Sequence, residues 1–105
     1  VRLGNLARTY SALGRHTDAL PLEERALGIT EAVLGPDHPT TAVRLGNLAR
    51  TYSALGRHTD ALPLEERALG ITEAALGPDH PDTAVRLNNL SAIRAALEDL
   101  TRDGS

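Results

Sequence analysis

The chain has 105 residues, room for one domain at most, and a net charge of −3 at pH 7 that is spread along the sequence rather than blocked. That balance leaves no basic footprint for nucleic acid, and no apolar run approaches the roughly 20 residues that span a bilayer. Without Cys there is no disulfide or thiol chemistry; without Phe or Trp, and with two Tyr, the core falls to Leu, Ala, Val and Ile, whose larger members contribute roughly 1.5–3 kcal/mol each when fully buried.

The segment 1–42 recurs at once as 43–84 with two changes, Val33 to Ala75 and Thr40 to Asp82, and starts again at Val85 as VRLNNL before diverging. A fixed period of this size marks a stacked-repeat architecture. The units are 1–42, 43–84 and a partial 85–105, together one structural domain. Because the chain starts at Val1 inside a repeat, it reads as part of a longer array.

A first helix is expected over 1–14. Leu3, Leu6, Ala7, Tyr10 and Leu13 recur at three- and four-residue spacing and gather on one face, with Val1, Asn5, Arg8 and Ala12 opposite. Gly14 suits the stop, and the short turn that follows folds the next helix back antiparallel. That second helix is expected over 17–34, with Thr17 and Asp18 favouring its N-terminus and Pro21 tolerated one turn in. Its apolar arc is Leu20, Leu22, Ala26, Leu27, Ile29, Val33 and Leu34, broad enough to touch neighbours on two sides.

Gly35 ends this helix in the left-handed conformation, His38 reads as a turn residue, and Pro39 opens the next helix with φ preset. The second unit repeats the scheme over 39–55 and 59–76. The last helix, over 81–101, presents Leu87, Leu90, Ile93, Leu97 and Leu100. Arg94 stands where earlier units have Tyr10 and Tyr52, as a terminal capping helix that faces water should differ. The expected fold is therefore all-α: two helix-turn-helix units and a capping helix, five helices in all.

Three sets of polar residues are candidates for function. Asn5, Arg8, Asn47, Arg50 and Asn89 repeat on the face away from the core, where amides can bond a peptide backbone and Arg forks can bind carboxylates; the alternative is a solvated helix face. Glu23 and Glu65 sit within the apolar arc, and a buried carboxylate must be paired or protonated; an ion pair between units suits them better than catalysis, which needs a second group. His16, His38, His58 and His80 all fall in turns and none has the i,i+4 spacing of a helical metal pair. There is no phosphate loop, no Ser-His-Asp arrangement and no Cys nucleophile. The expectation is a protein that is no enzyme and uses no metal or cofactor.

Leu3, Leu6, Ala7, Tyr10, Gly14, Ala19, Ala26 and Leu27 match the signature of the tetratricopeptide repeat, which is ordinarily about 34 residues. The extra length here lies between Gly28 and Pro39. The strings NLARTYSALGR and ALPLEERALGITEAVLGPDHP resemble the longer variety found in kinesin light chains, and more closely the arrays of actinomycete-type bacterial signalling proteins. The resemblance implies paired antiparallel helices stacked into a right-handed superhelix. First helices line its concave face, where an extended peptide or protein segment, here an acidic one, binds. It also packs each second helix against the first helix of the next unit, so Glu23 should meet Arg44 and Glu65 should meet Arg86, where the family usually has an aromatic. Asn47 suits a carboxylate clamp, but Val43 and Gly46 stand where basic residues would complete one. The implied role is a non-catalytic interaction scaffold in the cytoplasm, with no nucleic acid or membrane partner. The alternative is a structural self-assembly unit, natural or engineered. Homo-oligomers are expected through the open N-terminal end, where Leu3, Leu6 and Tyr10 lack an upstream cover.

Overall fold

The structure, a computed structural model, describes residues 15–103. Four of the five expected helices fall within them: α1 (His16–Leu34), α2 (Pro39–Ala54), α3 (His58–Leu76) and α4 (Pro81–Asp103). There is no strand among the described residues. The first expected helix, with Asn5 and Arg8, lies outside them.

The links between units are built twice in the same way. Gly35 and Gly77 adopt φ of 102° and 97°, a conformation that costs glycine nothing. Thr41 and Thr83, both fully buried, donate from Oγ1 to the carbonyls of Gly35 and Gly77 at 2.7 Å. Pro39 sits at the first helical position, and His38 caps α2: its Nδ1 accepts from the Thr40 N–H at 3.0 Å. His80 does the same for the Asp82 N–H at 3.1 Å. These two histidines are thus N-cap acceptors of otherwise orphaned helix donors. The starts of α1 and α3 differ. Each begins one residue earlier than expected and has no side-chain cap; Thr17 lies inside the first turn. Asp18 and Asp60 instead pair with Arg15 and Arg57 at 2.6 and 2.8 Å.

Each helix packs chiefly against the next one in sequence, and α2 is enclosed on both sides. One core cluster joins Leu27 of α1, Ala42, Leu45 and Leu48 of α2, and Ala68 and Ile71 of α3. A second joins Ala49 of α2, Ala61 of α3 and Ile93 of α4, with Tyr52, Leu62, Leu64 and Leu97 against it. Ala19, Ala26, Ala42, Ala49, Ala61 and Ala68 are all essentially inaccessible; their small side chains let helix backbones approach.

Two expected apolar faces are narrower in the structure. In α1 the buried residues are Ala19, Ala26, Leu27 and Thr30, while Ile29, Val33 and Leu34 are exposed. In α4, Leu90 and Ile93 are buried and Leu97 half-buried, but Leu87 and Leu100 are exposed. Leu87 lies about 60° round the helix from the buried Leu90 and is 47% exposed. The C-terminal helix therefore leaves an apolar edge open rather than closing the stack.

Candidate functional site

The side of α2 that faces α4 carries Gly46, Arg50 and Ser53, spaced i, i+4, i+7 and so aligned on one stripe. Together with His58 and Glu65 from α3 and Asn89, Ala92 and Ile93 from α4, they line a hollow of about 260 Å³. Ala92, which is exposed, and Ile93, which is buried, add apolar surface to the lining. Arg50 is exposed and makes no ion pair among the described residues. Ser53 Oγ and His58 Nδ1 are buried without a hydrogen-bond partner. A hydroxyl, an imidazole, an amide and a guanidinium thus share one hollow with apolar side chains, a donor and acceptor set suited to a peptide bearing a carboxylate.

Of the expected polar ladder, the structure brings Arg50 and Asn89 to this hollow. Asn47 is half-buried one residue from Gly46 and does not line it; its carbonyl lies 3.2 Å from the Thr51 hydroxyl. The repeat explains the offset. Arg50 meets the asparagine of the following unit, so the counterpart of Asn47 in such a pairing is Arg8, outside the described residues. Ser53 escapes a reading by residue type, and His58, weighed there only as a metal ligand, lines the hollow instead. The signal was the seven-residue spacing of Ser53 from Gly46 and of His58 from Glu65, which places each pair on one helix stripe.

The two glutamates have the same local sequence and different partners. Glu65 is 1% exposed, and Arg86 Nη1 lies 3.5 Å from its Oε1. The guanidinium packs directly on Gly46, where a Cβ would stand 1.8 Å from Nη1; glycine is what makes room for the pair. Glu23 forms no ion pair with Arg44. Its Oε1 accepts from the Thr51 hydroxyl, and Arg44 Nε is buried without a partner. Burial raises the Glu23 pKa above its ordinary value, while the Thr51 bond and the charges of Arg50, His16 and Arg44 pull it back in part. The cause of the difference is one residue. The third unit has Ile93 where the second has Thr51, so no hydroxyl is offered to Glu65.

A parallel exchange occurs at the next position. The Tyr52 hydroxyl donates to Glu24 Oε1 at 3.0 Å, and burial followed by that bond raises the tyrosine pKa. One unit on, Arg94 Nη2 takes the place of the tyrosine hydroxyl, 3.5 Å from Glu66 Oε2. Arg94 faces water and still links units. Among the described residues no group of three His, Cys, Asp or Glu is placed to hold a metal, and no helix is long and apolar enough to cross a membrane.

A family model for the tetratricopeptide repeat matches residues 3–74. Among solved structures, the chain is similar to a Podosopora anserina protein assigned as a kinesin light chain with nearly identical TPR-like repeats. The TM-score is 0.82 at 27% identity, over 95% of this chain and 47% of that one. A point-substituted form of the same Podosopora anserina protein matches with the same values. The chain thus spans about half the length of these structures. No curated protein matches it.

Proposed function

The chain belongs to the tetratricopeptide repeat family, whose repeats generally mediate protein–protein interaction or scaffolding, and from that premise we propose that it lays an extended acidic segment of a partner protein along one face. That face is the concave side of a right-handed superhelix, and the hollow between α2 and α4 is its anchoring point. The observation that carries this reading is Arg50: an exposed guanidinium without an ion pair among the described residues, at the rim of a hollow that also holds Asn89 and two unpartnered polar atoms. Glu65, the one carboxylate in the hollow, is held by Arg86 and does not compete for the ligand. The tetratricopeptide repeat is typically a non-catalytic fold, which supports a binding role for the hollow.

Isothermal titration against a library of acidic peptides tests it. Replacing Arg50 by Ala removes a charge-assisted bond worth about 1.5–3 kcal/mol, which is roughly ten- to a hundredfold in affinity. The salt dependence should flatten at the same time, with helicity unchanged. Equal affinity and equal salt dependence in the variant refute the reading.

A further inference from the structure

The histidines at the helix starts are used in two ways. His38 and His80 accept a backbone N–H at Nδ1, at 3.0 and 3.1 Å, so a proton on that nitrogen costs each its cap. His16 and His58 cap nothing, and Nδ1 of each is buried without a hydrogen-bond partner. Of these two, His58 lines the hollow between α2 and α4. It can take up a proton without giving up a bond, and imidazole is the side chain that ordinarily changes charge between pH 5 and 8. The charged groups around it are already assigned. From α2, Arg50 supplies a fixed positive charge. On α3, Glu65 is held by Arg86 of α4 at 3.5 Å, and Asp60 by Arg57 at 2.8 Å. The residues that α4 adds to the lining, Asn89, Ala92 and Ile93, do not titrate. Each carboxylate that lines the hollow or adjoins His58 on α3 therefore has its arginine. A carboxylate brought by a ligand is the first one left to the imidazole.

We propose that His58 is the second cation of the hollow, and that an acidic segment binds there with uptake of a proton by its imidazole. The inference rests on the acidic-segment reading above and adds the regulation of that site: its affinity follows pH. A carboxylate within about 4–6 Å of an imidazole favours the charged form. The complex therefore holds the proton more tightly than the free protein does. By linkage, acid strengthens the complex, and the gain is lost as pH rises through the value the imidazole takes in the complex. Below that value two positive charges face the ligand; above it Arg50 acts alone. Ligand carboxylates stay ionised down to about pH 5, so the gain falls between about pH 5 and 8. Ser53, whose Oγ is also buried without a partner, suits both states, because a hydroxyl donates as well as accepts.

Calorimetry counts the proton directly. The probe is the tightest peptide of the acidic library that contains no histidine, blocked at both ends so that its termini do not titrate. Titrated at pH 6.5 in phosphate and again in Bis-Tris, whose ionisation enthalpies differ, it should bind with uptake of about half a proton. Its affinity should rise about three- to tenfold between pH 8 and pH 5.5. His58→Asn should abolish the uptake and flatten the pH profile. His38→Asn and His80→Asn, at caps away from the hollow, should keep both. Should His58→Asn fail the circular dichroism check for folding, the His58 ring-proton resonance takes its place: its titration midpoint should move up when the peptide is added. If no acidic peptide binds, or if Arg50→Ala binds equally well, the acidic-segment reading falls and this inference with it. If binding depends on Arg50 but no proton is taken up, this inference alone is overturned. Uptake that persists in His58→Asn, or a midpoint that does not move, overturns it as well.

Discussion

Glu23 and Glu65 show how one hydroxyl selects the chemistry of a joint. Glu65 is buried against an arginine, so removing Arg86 alone leaves a carboxylate without compensation. Arg86→Ala is expected to cost about 3 kcal/mol, and Glu65→Leu with Arg86→Leu to recover most of that loss; chemical denaturation of the three variants measures both. Gly46 then provides a test whose sign reverses. In the unmodified chain Gly46→Ala drives a methyl into Arg86 and destabilises. In the double-leucine background the same change meets no guanidinium and should stabilise by about 1 kcal/mol, the helix propensity of Ala over Gly. Glu23 responds to pH instead. Its folded pKa is raised by burial above the ordinary value of 4.5, so the folded state holds this proton more tightly than the unfolded one. Its contribution is fully present below about pH 4.5 and is lost as pH rises through the folded pKa. Glu23→Gln, which keeps an acceptor for Thr51, should therefore raise Tm at pH 7, and the gain should vanish near pH 4. A gain that stays constant over that range refutes the assignment.

At the scale of the helix, the histidine caps matter most. His38→Ala or His80→Ala leaves one helix donor without its acceptor and should cost about 1 kcal/mol each, whereas Asn at either site should be tolerated; thermal melts decide it. Helix order and limits were legible in the sequence because Gly35, Pro39, Gly77 and Pro81 punctuate a strong apolar period. The caps were not, since histidine is no preferred capping residue and only the local geometry turns its Nδ1 toward the Thr40 N–H. The site was legible in part. Arg50 and Asn89 stood out by type and spacing, while Ser53 and His58 depend on how α2, α3 and α4 converge. The apolar faces of α1 and α4 were overread for a related reason. A three- and four-residue period marks every residue that could reach a neighbour, and Leu87, Leu100 and Ile29 are those that stay exposed. Arg94, expected to face water as a cap, also keeps the contact that Tyr52 makes one unit earlier.

Across the whole molecule, stability is the sum of joints between successive helices. Helices enclosed on both sides should exchange amide hydrogens most slowly. We expect α2 and α3 to be the most protected and the C-terminal half of α4, where Glu98, Asp99 and Leu100 are exposed, to exchange first. Hydrogen exchange followed by mass spectrometry would show the opposite order if the core lay elsewhere. Insertion of a further copy of the segment 43–84 should raise Tm, because it adds an enclosed pair of helices and disturbs no existing contact. Packing that joins each unit to the adjoining one also bears on inheritance. Two stretches of coding sequence this alike can misalign during recombination, and the exchange removes or adds one whole unit at a time. In most folds such an event destroys a core. Here the junction Ala42–Val43 is the same as Ala84–Val85, so each new length closes with the joint it already has, and the array can change its reach in a single step without first passing through a misfolded ancestor.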